Sequence, residues 1–397
     1  MKPLSGIRIA DFTVHAAGPF FTHMLSQLGA ECIKIESALR PDIFRKPHPV
    51  YGRNGPASFD QVASNKLSVR INLKHPDGVA LAKRLVAASD VAAESFRPGV
   101  MNRLGLSYDE LRKVKQDIVM VSVSSSGQSG PDSHFAGYAP LFGAWGGLGY
   151  LTGYADGPPV EMRHVMDHSV GLNAAMATIA ALLQRRRTGE GTHVDVAARE
   201  VASAAIGEAL LEAAAGGTPR RMGNGDLRMS PHGAFATRDP DRWLTIAVDD
   251  DRQWLAFAAL IEQAGRTVDA NFESASYRQT HQVLVDELVA GWAAQQDAEE
   301  AARLLQSHGI PAHVSWTTED IAADPHLRAR RTIIDVAEPD GRMRAAIGVP
   351  IRFSETSDVG IVRGTPRLGE DEDYVFGELL GIGAAERQRL ADAQIIY

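Results

Sequence analysis

The chain has 397 residues, 44% of them hydrophobic and 23% charged, an ordinary globular balance and too long for one small core. A net charge of −8 leaves no chain-wide basic footprint for nucleic acid or anionic lipid, and a single cysteine, Cys32, excludes an intramolecular disulfide or an all-cysteine metal cluster. The opening MKPLSGIRIADF lacks the layout of a secretory leader, and no run of about 18 apolar residues suggests a membrane span, so the expectation is a soluble, cytoplasmic enzyme.

The elements follow in order. Ile7–Phe12 reads as a strand, Gly18-Pro19 punctuates, Phe20–Leu28 reads as a helix stopped by Gly29, and Cys32–Glu36 alternates like a second strand. This βαβ start argues for a mostly parallel sheet covered by helices. Asp77–Ala88 follows as a helix, Val91–Glu94 as a strand, Tyr108–Lys115 as a helix and Ile118–Ser124 as a strand, before a serine- and glycine-rich loop. Val170–Leu183 is apolar on every side and predicts a helix buried all round, closed by Arg185, Arg186 and Arg187. A second Ala-rich helix is expected over Val196–Ala214, with the domain boundary in the loop Gly216–Asp226. Beyond it, Gly233–Thr237 and Trp243–Val248 look like antiparallel strands, and Arg252–Glu262, Gln279–Ala294 and Glu299–His308 like helices. The tail returns to strand-like segments, Ile333–Val336 and Ile351–Phe353, and a helix near Ala384–Ala391. The expected domains are residues 1–215, a smaller α+β domain over 226–324, and a return to the first over 325–397.

A βαβ start invites a dinucleotide site with Glu36 as the ribose acid. No G-x-G-x-x-G occurs anywhere, which argues against it. His164 and His168 bracket Asp167 with the spacing of a metal pair, but no third ligand is indicated. Asp167 before a buried helix reads first as an N-cap. The dipole there also favours a carboxylate, and the free N–H groups suit a developing oxyanion. There is no G-x-S-x-G elbow and no phosphate-binding G-x-x-x-x-G-K-[ST] loop. Cys32 is expected as buried packing. Arg40, Arg45, Lys46, Arg53, Lys66, Lys74, Arg97 and Arg103 crowd the first quarter, as solvated charge or as ligands for a phosphate-bearing molecule.

The opening PLSGIRIADFTVHAAGPFFTHMLSQLGAECIKIE resembles the start of class III CoA-transferases, the CaiB–BaiF family. NLKHPDGVALAKRLVAASDVAAESFRPGVMNRLGL, GYADGPPV, AALLQRRRTGEGTHVDV and GIPAHVSWTTEDIAADPHLRAR resemble further family segments in the right order. The resemblance implies a large Rossmann-like α/β domain built from both chain ends, a smaller domain, and an interlocked homodimer. It implies coenzyme A thioesters and carboxylic acids as substrates, with no metal, nucleic acid, membrane or prosthetic group. Asp167, in MDHSVG, stands at the position of the family's nucleophile. Coenzyme A is then expected along His15, Ala16 and Ala17, at Leu73 and Lys74, and at Ser95, Phe96, Arg103 and Tyr138. Ser95 replaces an asparagine of many members. Ser37 stands where many carry a basic residue, and Arg40 is its nearest substitute. GNGDLRMSPHG occupies the region of the Gly-rich loop found in formyl-CoA members, which argues against oxalate or formate. A racemase on the same fold is the alternative, but Tyr138 stands where its histidine base is expected, and a phenol is a poor base at neutral pH. Arg163 and His164 are candidates to meet a second carboxylate of the substrate.

Overall fold

In the computed structural model, which describes residues 1–45, 57–162, 164–338, 341–356 and 359–397, the early apolar runs become parallel strands. These are β1 (Arg8–Asp11), β2 (Glu31–Glu36), β3 (Leu67–Arg70), β4 (Val91–Glu94), β5 (Val119–Ser124) and β6 (Thr192–Ala197). They form one sheet in the order β3-β2-β1-β4-β5-β6, parallel throughout. Strand order reverses between β1 and β4, where open α/β sheets bind ligands at the strands' carboxyl ends.

The apolar residues of β4 and β5, interrupted by Glu94, Ser122 and Ser124, reflect burial on both faces. On one face Ile9, Cys32, Ala93, Val121 and Val123 pack against helices α1 (Ala17–Gln27) and α4 (His164–Thr188). On the other, Ala10, Ile33, Val69 and Met120 meet α2 (Pro76–Ala87) and the C-terminal residues Val375, Phe376, Leu390 and Ile396. The C-terminal stretch also seals β3: Asp371 accepts the Ser68 N–H at 2.8 Å, and Glu372 pairs with Arg70 at 2.7 Å. Between β5 and α4 lies α3 (Ala139–Gly146), and α5 (Ala198–Ala204) follows β6.

The chain divides into two units. One comprises Met1–Gly149, Glu161–Leu211 and Pro325–Tyr397, and the other Tyr150–Val160 with Glu212–Asp324. The second unit has its own antiparallel sheet, β7 (His232–Ala236), β8 (Trp243–Ala247) and β9 (Ala312–Val314), around a core of Trp254, Phe257, Trp292 and Leu305.

Several expectations need correction. Helix α4 begins at His164, not Val170, so Asp167 sits inside its first turn and is not its N-cap. Nor is α4 buried all round: Leu172, Met176 and Leu183 are exposed. The expected helix over Val196–Ala214 is the end of β6 followed by α5 and a separate helix, Gly207–Ala214, because the edge strand claims residues through Ala197. Tyr150–Val160, expected within the first domain, clusters with the second unit. In the tail, β10 (Ile333–Ala337) pairs with β11 (Met343–Ile347) as a separate hairpin, and Phe353 makes only an isolated bridge to Thr356.

Candidate active site

The turn after β1 is held from below by buried charge. Asp11 and Lys66, both fully buried, pair at 2.9 Å, and Lys66 also donates to the Pro19 carbonyl at 2.9 Å and the Thr22 hydroxyl at 2.7 Å. The other Asp11 oxygen accepts the Thr13 N–H at 2.9 Å. Lys34, paired with Asp42 at 3.0 Å, donates to the Thr13 carbonyl at 2.8 Å. Burial alone would push the Asp11 carboxyl up, but Lys66 and Lys34 outweigh it and hold it below its ordinary range. Glu36, the imagined ribose acid, is bound by Arg45 at 2.7 Å. Lys66 and Arg45 are therefore neither solvated nor free for a phosphate.

Above this base the chain turns tightly. The Ser95 hydroxyl accepts the Val14 N–H at 2.9 Å and donates to the Val14 carbonyl at 3.0 Å, clamping the turn to the end of β4. His15 adopts φ +67°, a left-handed conformation that stores strain in a side chain other than glycine. At Gly18 a Cβ would stand 2.7 Å from both Ser95 and Thr13, so only glycine allows the approach. Helix α1 then starts with no side-chain cap, leaving its first N–H groups open.

A close helix crossing brings Asp167 here. A Cβ at Gly171 would lie 2.7 Å from the Phe20 ring and 3.0 Å from the Ala17 carbonyl, so α4 meets α1 backbone to backbone. His168 packs edge-on against Phe20 at 4.3 Å. The result is a cavity of about 560 Å³ over the carboxyl ends of β1, β4 and β5, walled by residues 14–18, 95–98, 123–125 and 135–140 with His164 and Asp167. Asp167 is half-buried, and among the described residues nothing donates a hydrogen bond to its carboxylate. Burial pushes it up to about 6, with His164 opposing the shift.

Of the residues singled out from sequence, His15, Ala16, Ala17, Ser95, Phe96, Tyr138 and Asp167 all line this cavity, with the His15 and Tyr138 rings in a T-shaped contact at 5.9 Å. Arg40, Leu73, Lys74 and Arg103 do not. Leu73 borders the same hydrophobic cluster as Phe96, whereas Arg40, Lys74 and Arg103 are exposed. Arg163, Lys46 and Arg53 lie outside the described residues. His164 and His168 do share a helix, one turn apart, but no group of three or more metal-ligating side chains exists among the described residues. Cys32 is buried in β2, where burial pushes its thiol up. Sequence reasoning missed Val14, Ser125, Phe135 and Phe142 in the wall. The available signal was their place after β1 and β5, beside the switch point.

The chain matches the model of CoA-transferase family III over residues 4–372. It is 32% identical over 400 residues to the succinyl-CoA–D-citramalate CoA-transferase of Chloroflexus aurantiacus, covering 100% of this chain and 98% of that one. It is 30% identical over 385 residues to the succinate–glutarate CoA-transferase of Agrobacterium fabrum, covering 95% and 96%. The crystal structure of a CaiB/BaiF family protein from Brucella suis superposes with a TM-score of 0.86 at 29% identity, covering 95% of this chain and 99% of that one.

Proposed function

This chain belongs to CoA-transferase family III, the CaiB/BaiF proteins, and from that premise we propose that Asp167 is the nucleophile of a CoA transfer between carboxylic acids. The observation that carries the reading is the Asp167 carboxylate itself, set in the cavity wall with no hydrogen-bond donor on it among the described residues. A carboxylate partly stripped of water and free of hydrogen-bond donors is a stronger nucleophile than a fully solvated one.

The proposed exchange runs in four displacements. The Asp167 carboxylate attacks the donor thioester carbonyl, forming a mixed anhydride and expelling CoA thiolate. The thiolate attacks the Asp167 acyl carbon, giving an aspartyl-CoA thioester and releasing the donor acid as carboxylate. The acceptor carboxylate then attacks that thioester, forming a second anhydride and freeing CoA thiolate again. Attack of the thiolate on the acceptor's carbonyl yields the new acyl-CoA and regenerates the aspartate. Each step passes through an oxyanion, and the uncapped first turn of α1 offers N–H donors beside the cavity.

Coenzyme A is too long for the cavity alone. Its thioester end would lie along His15, Ala16 and Ala17, with Ser95, Phe96 and Tyr138 opposite. The nucleotide would pass outward over Leu73 toward Arg40, Lys74 and Arg103, whose exposure suits phosphate binding. The relatives' names point to small dicarboxylic acids as donor and acceptor. Arg97 supplies a cation to the wall, and the His164 imidazole a hydrogen-bonding group, for a second carboxylate. The exposed Leu172, Met176 and Leu183 stripe on α4 supports a homodimer that covers it, readable as a dimer mass by light scattering at nanomolar protein.

Incubation with succinyl-CoA and no acceptor tests the mechanism. A CoA adduct on the peptide containing Asp167, cleaved by hydroxylamine, is the expected result. An adduct on another residue would overturn the assignment.

A further inference from the structure

Glu94 ends β4 one residue before the cavity wall begins, and it is only 3% exposed. Its carboxylate accepts the Phe96 N–H at 2.7 Å and bonds the Ser122 hydroxyl on β5. Ser122 Oγ lies 2.9 Å from His193 Nε2 on β6, the edge strand, where His193 is exposed and stacks on Tyr108 at 5.5 Å. Two residues along β6, Asp195 accepts the Gln128 N–H at 2.8 Å. A polar row across three adjacent strands therefore grips the start of both loops that wall the cavity.

No cation balances Glu94 among the described residues. Asp195 faces it with like charge. His193 is itself faced by Asp195 and by Asp109, and although the residue is exposed overall, partial desolvation of its ring against Tyr108 and Ser122 holds the imidazole toward the neutral form. Arg112 lies over the Tyr108 ring at 5.7 Å, beyond the imidazole stack. Burial, reinforced by Asp195 and opposed by Ser122 and the Phe96 N–H, pushes the Glu94 carboxyl up to about 7.

We propose that Glu94 is a positioning residue for acyl-CoA binding, setting the Phe96 wall through its backbone N–H and releasing that hold when a proton arrives through His193 and Ser122. The proposal rests on the reading of the cavity as the CoA site. Its proton bookkeeping is simple. With Glu94 ionised, Ser122 donates to the carboxylate and His193 Nε2–H donates to Ser122. His193 takes a proton from solvent hydronium at Nδ1, passes its Nε2 proton to Ser122, and the serine's own proton moves to Glu94. His193 ends neutral and Glu94 ends as the acid, so the net change is one proton bound. A neutral acid is a weaker acceptor for the Phe96 N–H than a carboxylate.

The test is the dissociation constant of coenzyme A, measured by calorimetry from pH 5.5 to 8.5 on the full chain. Glu94→Gln keeps an acceptor for Phe96 and a donor for Ser122 but does not ionise. Wild type should lose about fivefold more affinity than Glu94→Gln as pH falls across this range. The titration of the ligand's own phosphate is common to both proteins and cancels. Ser122→Ala, which leaves the Phe96 bond in place, should move the wild-type midpoint to higher pH because ionised Glu94 loses a donor. Superimposable pH profiles for wild type and Glu94→Gln, or a midpoint unmoved in Ser122→Ala, would overturn the proposal alone. A wild-type protein that binds no coenzyme A at any pH would overturn the transferase reading, and this proposal with it.

Discussion

Two aspartates of the same unit meet opposite fates. Asp11, at the end of β1, is fully buried and surrounded by Lys66, Lys34, Thr13 and Thr22, and it is held ionised below its ordinary range. Asp167, in the first turn of α4, is only half-buried but accepts no hydrogen bond among the described residues, and burial, opposed only by His164, pushes its carboxyl up to about 6. Burial acts on both in the same direction, and the number of donors decides the outcome. An acid with every lone pair satisfied is a structural brace. An acid left bare beside a cavity is available for chemistry.

The sharpest way to break this comparison is Asp167→Asn. Asparagine preserves shape but forms neither anhydride nor thioester, so transfer activity should fall by at least about 10³-fold while the far-ultraviolet spectrum is unchanged. Appreciable transfer would remove Asp167 from the chemistry. Lys66→Met attacks the other aspartate. It strands a buried carboxylate and should cost about 3–5 kcal/mol in denaturant unfolding, with activity lost through the fold and not through the chemical step. A loss below about 1 kcal/mol would mean that Lys34 and the threonines suffice.

Acid titration sharpens the contrast, because the two groups have opposite signs. As the proposed nucleophile, Asp167 must be ionised, so kcat/KM should drop about tenfold per pH unit below about 6. Stability linked to the raised Asp167 carboxyl is present below its unfolded value and is lost as pH rises through about 6. Asp167→Asn should therefore melt higher than wild type at pH 8, a difference that fades by pH 4. Asp11 contributes the reverse: stability present above the ordinary aspartate range and lost only as pH falls through its lowered value. A melting difference for Asp167→Asn that does not depend on pH would count against the bare carboxylate. The smallest effects belong to the exposed cations. Lys74→Ala and Arg103→Ala should each weaken coenzyme A binding several-fold and flatten its salt dependence, without touching kcat.

Much of the frame was legible in the chain itself. The alternation in Cys32–Glu36 and the apolar runs Val91–Glu94 and Ile118–Ser124 all mark strands, because a parallel sheet buried on both faces imposes its pattern on every residue. Family motifs extend that reading to Asp167 and to the His15–Ala17 turn. The edge strand β6 and the short β3 escaped, since half-exposed edges carry a weaker pattern.

What the sequence alone determined is therefore the βαβ opening and the central strands, the family, and the residue types offered for catalysis. Only the tertiary structure decided which charges are spent and which are free. Lys66, Arg45, Lys74 and Arg103 look alike as basic residues in the first quarter of the chain. The fold buries the first two against Asp11 and Glu36, 55 and 9 residues away in the chain, and leaves the last two in solvent. The same holds for Asp167, which the chain presents as a cap and the α1–α4 crossing at Gly171 turns toward a cavity. Desolvation and pairing depend on neighbours brought from distant segments, and no local pattern encodes them.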